Sequence, residues 1–364
     1  MDIEVARDDL AQVRALQGVA HELDRGEARV RIDRFALSSN NISYAVYGNV
    51  FGYWDFFPSV PDDDPGATAW GRIPVWGFGE VIETSSLDLA VGERLFGYYP
   101  MSSEVVLRPG KGDERGCFDV SPHRAAMASA YSQYLRSAAD PLYRADREDH
   151  QMLLYPLFYT SFLADDLLVD NRDFGADVIV VSSASSKTAI AMAFLAHRRG
   201  THVVGVTSST NLGFVAELGV YDEVLDYDAV DQLPLRPSVY VDVAGNRDVL
   251  HAVHSRLSGA LAYSMTVGGT HWNHQADPSR ILPGPAPEFF FAPTQIAKRT
   301  ADWGRDELEA RLLDAWEPFV TWTDEWIDFR HVTGPDAVTE VYRTLLRGEP
   351  DPKVGYICSL RDTH

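Results

Sequence analysis

Val178-Ile179-Val180-Val181-Ser182-Ser183-Ala184-Ser185-Ser186-Lys187-Thr188-Ala189 joins two kinds of chain. Four β-branched residues in a row suit a strand buried on both faces, as in a parallel sheet. A hydroxyl-rich turn follows, and then an apolar stretch from Ala189 to Arg199 that stops at Gly200 and reads as a helix. A strand that feeds a helix through a short turn is where open α/β sheets bind ligands. Backbone N–H groups and the helix dipole favour an anion there. Small side chains let a pyrophosphate approach. Ser182, Ser185, Ser186 and Thr188 offer hydroxyls, and Lys187 adds a cation.

The same texture continues outward. Residues 202–207, 223–225, 239–243 and 260–267 read as strands, and 212–218 and 247–257 as helices. Alternation of this kind predicts a doubly wound parallel sheet. Upstream, Arg29-Val30-Arg31-Ile32-Asp33-Arg34-Phe35-Ala36-Leu37 alternates polar and apolar, which suits a half-buried strand. Residues 73–83, 91–99 and 104–107 add short strands with Gly turns, the pattern of a small barrel. Residues 53–65 read as a surface loop. Residues 122–169 read as two or three helices broken at Asp140-Pro141. Tyr131, Tyr134, Tyr143, Tyr155, Phe158, Tyr159 and Phe162 crowd that stretch, either as core packing or as the wall of a pocket for an apolar or aromatic substrate. A helix at 306–316, strands at 326–329 and 353–359, and a helix at 335–347 complete the chain. The expected fold class is α/β, with a β-barrel catalytic domain at 1–121 and 325–364. A helical insertion is expected at 122–170 and a nucleotide-binding domain at 171–324.

A length of 364 residues fits two domains. A net charge of −21 disfavours nucleic acid and anionic lipid as partners. No run of about 18 apolar residues predicts a membrane span. Met1-Asp2-Ile3-Glu4 does not open a secretory signal, and a cytoplasmic protein is expected. The two cysteines, Cys117 and Cys358, suit small buried apolar residues better than a disulfide framework.

The turn holds no glycine, so the dinucleotide pattern G-x-G-x-x-G is absent. A capped helix on an empty sheet edge is one alternative. A P-loop is another, because Ser186-Lys187-Thr188 echoes the end of G-K-[ST], although its leading glycine is missing. Thr207-Ser208-Ser209 stands where a NAD site places a carboxylate, which favours NADP(H) over NAD(H).

The order of elements resembles the medium-chain dehydrogenase/reductase superfamily, especially its zinc-free quinone oxidoreductase (zeta-crystallin)-like branch. Trp76-Gly77-Phe78-Gly79-Glu80-Val81-Ile82-Glu83 with Val91-Gly92-Glu93-Arg94-Leu95-Phe96-Gly97 is similar to a stretch of that family's GroES-like domain. Glu217-Leu218-Gly219-Val220-Tyr221-Asp222-Glu223-Val224-Leu225-Asp226-Tyr227 follows another of its segments. Val241-Asp242-Val243-Ala244-Gly245 and Val267-Gly268-Gly269 resemble its next strand ends, and Lys353-Val354-Gly355-Tyr356-Ile357 its closing strand. The resemblance implies a GroES-like β-barrel plus a Rossmann domain, and a homodimer. It assigns Ala244, Gly245, Val267, Gly268, Ser208, Ser209 and Thr207 to the cofactor beside the turn residues. Ser182-x-x-Ser185-x-x-Thr188 departs from the family's glycines at that turn.

The catalytic zinc of that superfamily needs a Cys, a His and another acidic or Cys ligand at set places, and its structural zinc needs four close cysteines; neither set can be built from this sequence. His271 and His274, three apart, lack a nearby third ligand and read as a loop. The family's Asn…Tyr…Gly spacing falls on Ser39, Tyr44 and Gly48, with Asn40 and Asn41 directly after Ser39. The resemblance makes Tyr44 the donor to a substrate carbonyl, assisted by Asn40 or Asn41; packing beneath the cofactor is the competing role for Tyr44. The expected activity is NADPH-dependent hydride transfer to an apolar activated alkene, enone or quinone. A non-redox enzyme and a non-catalytic nucleotide-binding protein on the same fold are the alternatives.

Overall fold

The computed structural model describes residues 1–18, 22–59, 69–267, 282–348 and 350–361. The chain divides into two compact units, Met1–Leu153 with Asp328–His364, and Leu154–Ile327.

The first unit is built around strand Ala28–Leu37. One side pairs with Pro74–Thr84; the other is shared by Glu104–Leu107 and Val354–Ser359. The expected alternation holds through Val30 and Ile32, then slips at a bulge before Arg34, after which Phe35, Ala36 and Leu37 are all buried. Strands Arg94–Pro100, Gln133–Arg136, Gly116–Asp119 and Pro109–Asp113 extend the sheet beyond Pro74–Thr84. At its other edge Asp328–Thr333 lies parallel to Val354–Ser359, with helix Pro335–Leu346 between them in the chain.

Two expectations need correction here. The stretch from Pro122 is not helical throughout: short turns and strand Gln133–Arg136 occupy it as far as Arg147. Pairing overrides local composition, because Tyr134 lies over Gly97 of the neighbouring strand, where a Cβ would stand 2.4 Å from its ring. Residues 53–59 are not a surface loop either, since Trp54, Phe56 and Phe57 are buried. One continuous helix follows, Glu148–Asp170. Its first turn is anchored by Glu148, whose carboxylate meets Arg94 at 2.6 Å and Arg34 at 2.7 Å, while Arg94 also bridges to Asp33 at 2.9 Å.

The second unit is a six-stranded parallel sheet in the order Glu223–Asp226, His202–Thr207, Val178–Ser182, Ser238–Asp242, Leu261–Thr266, Glu288–Phe289. Val178–Ser182 is buried at every position, as its unbroken β-branched run requires. Val180, Val204, Tyr240, Val253 and Leu257 form the core beneath helix Arg247–Leu257. Helix Lys187–Arg198 starts two residues before the apolar stretch that announced it. Helix Arg305–Thr323 is longer than expected and carries Pro318 within it. Trp326 belongs to no strand: it packs at 5.7 Å on Trp322 and 5.8 Å on Phe214, and the late strand starts at Asp328.

Among the described residues, the stretch Ala145–Asp170 alone is long and apolar enough to cross a membrane by length and composition. Half of its most apolar stretch is buried inside the protein, and Asp165 and Asp166 are ion-paired with Arg199 and Arg299, as in a core helix. Cys117 and Cys358 are both buried, and burial pushes the Cys117 thiol up to about 12.

Burial also raises the Asp165 carboxyl to about 6, with Arg199 opposing the shift. The folded state therefore holds this proton more tightly than the unfolded chain does. The contribution to stability is greatest below about pH 4 and falls as pH rises through 6. Urea midpoints of the parent and of Asp165→Asn should thus diverge in favour of the variant between about pH 4.5 and about pH 7.5. A difference that stays constant over that range refutes the assignment.

Candidate functional sites

Each unit carries one candidate site. In the second unit it begins where strand Val178–Ser182 ends. Ser182 is fully buried, and its hydroxyl donates to Asp242 Oδ1 at 2.8 Å. The same oxygen of Ser182 accepts the Val243 and Ala244 amides, each at 3.0 Å. Asp242 Oδ1 also accepts from Gly245 N at 3.1 Å and Tyr240 Oη at 3.3 Å. Burial raises the Asp242 carboxyl, and these donors work against the shift.

The chain then turns at Ser183, whose φ of +51° lies in the left-handed region that favours glycine. The Ala184 amide donates to Val206 O at 3.1 Å, and its carbonyl accepts from Tyr221 Oη at 2.9 Å. The glycine that this turn needs stands on the next strand. A Cβ on Gly205 would lie 2.9 Å from the Ala184 methyl and 2.8 Å from the Tyr221 ring. Ser186 caps helix Lys187–Arg198, accepting Ala189 N at 3.2 Å. The amides of the first helical turn therefore open onto the loop.

The remaining sequence candidates divide. Ser185 Oγ accepts from Thr207 Oγ1 at 3.4 Å and from Asn211 Nδ2 at 3.0 Å, and Asn211 also reaches Ser208 Oγ at 3.2 Å. Asn211 was not singled out from sequence; its place one short turn after the strand was the available signal. Thr207 is fully buried, and Ser209 is exposed. Lys187 and Thr188 are half-buried, and the Thr188 carbonyl accepts from Ser161 at 2.9 Å. Ala244 is buried beside Gly245, whose φ is +63°. The Val267 amide donates to Asp242 O at 2.8 Å. Gly268, His271 and His274 lie outside the described residues. Among the described residues no group of three or more His, Cys, Asp or Glu is placed to hold a metal.

In the first unit the candidate is Tyr44. It sits on helix Ser39–Val46, which Ser38 caps by accepting the Asn40 amide at 3.3 Å. Asn41 is used in construction: its Oδ1 accepts Ser38 N at 2.8 Å and its Nδ2 donates to Pro74 O at 2.9 Å. Asn40, one helical turn before Tyr44, turns its side chain to the Tyr44 hydroxyl. Trp76 Nε1 donates to the same oxygen at 3.4 Å. Gly48, the last position of the family spacing, lies under the Trp54 indole, where a Cβ would meet Nε1 at 2.2 Å.

Around Tyr44 the rings converge. Tyr53 lies at 4.6 Å, Tyr98 edge-on at 5.6 Å and Tyr131 at 6.5 Å between centroids. Phe56 and Phe57 close the floor, and the Arg124 guanidinium stands 4.5 Å from the Phe57 ring, paired with Asp119 at 3.2 Å. Burial drives the Tyr44 phenol upward and the neighbouring Tyr131 adds to this, while the Trp76 N–H that donates to its oxygen and the polar groups of Asn40 and Tyr98 beside it oppose the shift. Tyr53 is pushed up to about 12, again chiefly by burial. The sequence marks 73–83 and 91–99 as strands. The register that sets Trp76 directly opposite Tyr98 was not legible.

The family described as "Protein of unknown function (DUF2855)" matches residues 35–351. No curated protein matches the chain at a significant level. Solved structures do. CurA in complex with NADPH from Vibrio vulnificus is similar at 13% identity and TM-score 0.62, over 96% of this chain and 95% of that one. The YhdH oxidoreductase from Salmonella enterica in complex with NADP is similar at 15% identity and TM-score 0.53, over 96% and 95%. JamJ enoyl reductase is similar at 12% identity and TM-score 0.56, over 98% of each chain. At such identities the likeness speaks for the fold. It is an α/β fold with a GroES-like β-barrel domain and a Rossmann domain.

Ser182→Ala removes the 2.8 Å donor to a buried carboxyl and the acceptor of two amides. We expect a loss of about 2–3 kcal/mol in urea unfolding. A loss under about 0.5 kcal/mol would show that this junction is not held by Ser182.

Proposed function

The chain belongs to the DUF2855 family, and we propose that this member is an NADP(H)-dependent reductase acting on an apolar activated alkene, enone or quinone. One observation carries the reading. The turns after Val178–Ser182 and Ser238–Asp242 stand side by side where the strand order of the sheet reverses, the place at which open α/β sheets take a dinucleotide.

The residues at that place suit the group. The hydroxyls at the expected glycine positions do not crowd the loop: Ser182 is drawn into Asp242, and Ser185 is bonded to Asn211. The capped start of helix Lys187–Arg198 favours a phosphate through its dipole and first-turn amides, while the Ala184 and Ser186 amides that follow the left-handed Ser183 hold the loop itself in shape. Ser208 and Thr210 present neutral hydroxyls after strand His202–Thr207, where Asn211 Nδ2 holds Ser185 and Ser208 in place, and no carboxylate stands at 207–209 to repel a 2′-phosphate. The structures of CurA and YhdH name NADPH and NADP as their ligands, which supports the same choice. The nicotinamide, when bound, supplies the hydride.

The chain's own part in the chemistry falls to Tyr44. Its hydroxyl accepts from Trp76 and faces Asn40, so its proton is available to a substrate oxygen or carbon. Hydrogen-bond donors then do what a Lewis acid does elsewhere in this fold. The aromatic walls from Tyr53, Tyr131 and Trp76 favour a planar apolar substrate over a charged one. Zinc would need Cys and His ligands, and Cys117 and Cys358 are buried in the core.

Titration with NADPH and NADH, followed by calorimetry, should show binding, with NADPH the tighter ligand. Absence of binding by either at millimolar levels sinks the proposal. With benzoquinone or an aryl enone as acceptor, Tyr44→Phe should lower kcat about 10²-fold while NADPH affinity stays unchanged. Binding without turnover of either acceptor would instead favour a non-catalytic nucleotide-binding role.

A further inference from the structure

Tyr98 is wholly buried, and among the described residues its hydroxyl has no hydrogen-bond partner. Leaving such a group unpaired costs about 1–3 kcal/mol. Phe would fill the same space without that cost, so the hydroxyl calls for an explanation. Its surroundings supply one. Tyr98 stands opposite Trp76 across the strand pair. Its ring meets Tyr44 edge-on, and its hydroxyl lies within reach of the Tyr44 hydroxyl. The Tyr44 oxygen already accepts Trp76 Nε1 and faces Asn40. A neutral phenol oxygen is a modest acceptor, whereas a phenolate takes more and stronger bonds.

We infer that Tyr98 is a positioning residue for the proton donor: its hydroxyl is unpaired while Tyr44 is protonated and donates to Tyr44 once that proton has left. The inference rests on the reductase reading, which is what takes a proton from Tyr44. In that reaction the hydride pair forms a C–H bond at the β-carbon of the alkene. The π pair moves onto the carbonyl oxygen. The α-carbon then takes the Tyr44 proton, and the O–H pair stays on Tyr44 as phenolate until water returns a proton.

A bond that strengthens only as charge develops lowers the barrier without tightening the ground state. The donors need no rearrangement. Trp76 and Tyr98 are held by one antiparallel strand pair, and Tyr134 Oη fixes the Tyr98 carbonyl at 2.6 Å. The charged groups packed near the cluster are Arg124, over Phe56 and Phe57, and its partner Asp119; the titratable neighbours are Tyr53 and Tyr131. Burial opposes ionisation of Tyr44, Tyr53, Tyr98 and Tyr131 alike, so donated hydrogen bonds are the local source of acidity for Tyr44.

The test places 3,5-difluorotyrosine at position 44 of the full chain. This analogue ionises well below tyrosine, and its near-ultraviolet absorbance reports the phenolate. Tyr98→Phe in that background should raise the midpoint by about one pH unit, a tenfold weaker acid. In the natural background Tyr98→Phe should fold with a Tm at or above that of the parent, since only an unpaired hydroxyl is removed. A midpoint that moves by less than about 0.2 pH unit overturns the inference and leaves the hydroxyl as a packing defect. The titration uses neither nicotinamide nor substrate. A shifted midpoint in a chain that never oxidises NADPH therefore sinks the reductase reading alone. An unshifted midpoint in a chain that does oxidise it sinks the role of Tyr98 alone.

Discussion

A buried carboxyl must be satisfied from within, and the second unit is arranged around how Asp242 meets that demand. Ser182 ends one central strand and Asp242 ends its neighbour. Their 2.8 Å bond ties the two strand ends at the point where the sheet order reverses. Ser182 then holds the two amides that follow Asp242, and Asp242 holds the amide of Gly245. The two turns that leave these strands start from fixed positions as a result. The Ser182 hydroxyl and Asp242 Oδ1 are thus engaged with each other and with these amides, and they act as scaffold for both turns.

The same economy explains the absent glycines. A dinucleotide turn needs room for a close backbone approach, and glycine in the turn is the common provision. Here the provision is moved sideways. Gly205 on the adjacent strand clears the space that Ala184 and Tyr221 fill, and Ser183 takes the left-handed conformation without being glycine. Such a conformation costs a non-glycine residue on the order of 1 kcal/mol, and the surrounding bonds hold it. Ala184 is tied to Val206 and Tyr221, and the Ser183 carbonyl accepts Ser186 N at 2.7 Å.

Much of the second unit was legible because its signals are local. The β-branched run of Val178–Ser182 and the helix Arg247–Leu257 follow from periodicity and caps over a few residues. The first unit was legible where strands alternate, as in Ala28–Leu37, and illegible where partners decide. Gln133–Arg136 is a strand because Arg94–Pro100 and Gly116–Asp119 flank it, and nothing in its own composition says so. The candidate sites divide in the same way. Tyr44 comes from the family resemblance, and the hydroxyl turn from its place between a buried strand and a helix. Tyr98 and Asn211 matter through contacts with residues 54 and 26 positions away, Tyr44 and Ser185, which no local pattern encodes.

The charge of the chain bears on why hydroxyls and amides, rather than arginines, line the proposed phosphate site. With 53 acidic against 32 basic residues, cations are scarce. Several of the less exposed ones are committed to the chain's own carboxylates: Arg34 and Arg94 to Glu148, Arg124 to Asp119, Arg199 to Asp165 and Asp173, Arg299 to Asp166. Releasing any of these would leave a partly or wholly buried carboxylate without its partner, which is the costly way to break an ion pair. Neutral donors carry no such obligation. A capped helix start flanked by the hydroxyls of Ser185 and Ser208, which Asn211 holds in place, can hold an anion while every buried ion pair stays intact. Lys187 then need offset only the local part of an acidic field, and salt screens the remainder beyond about 10 Å.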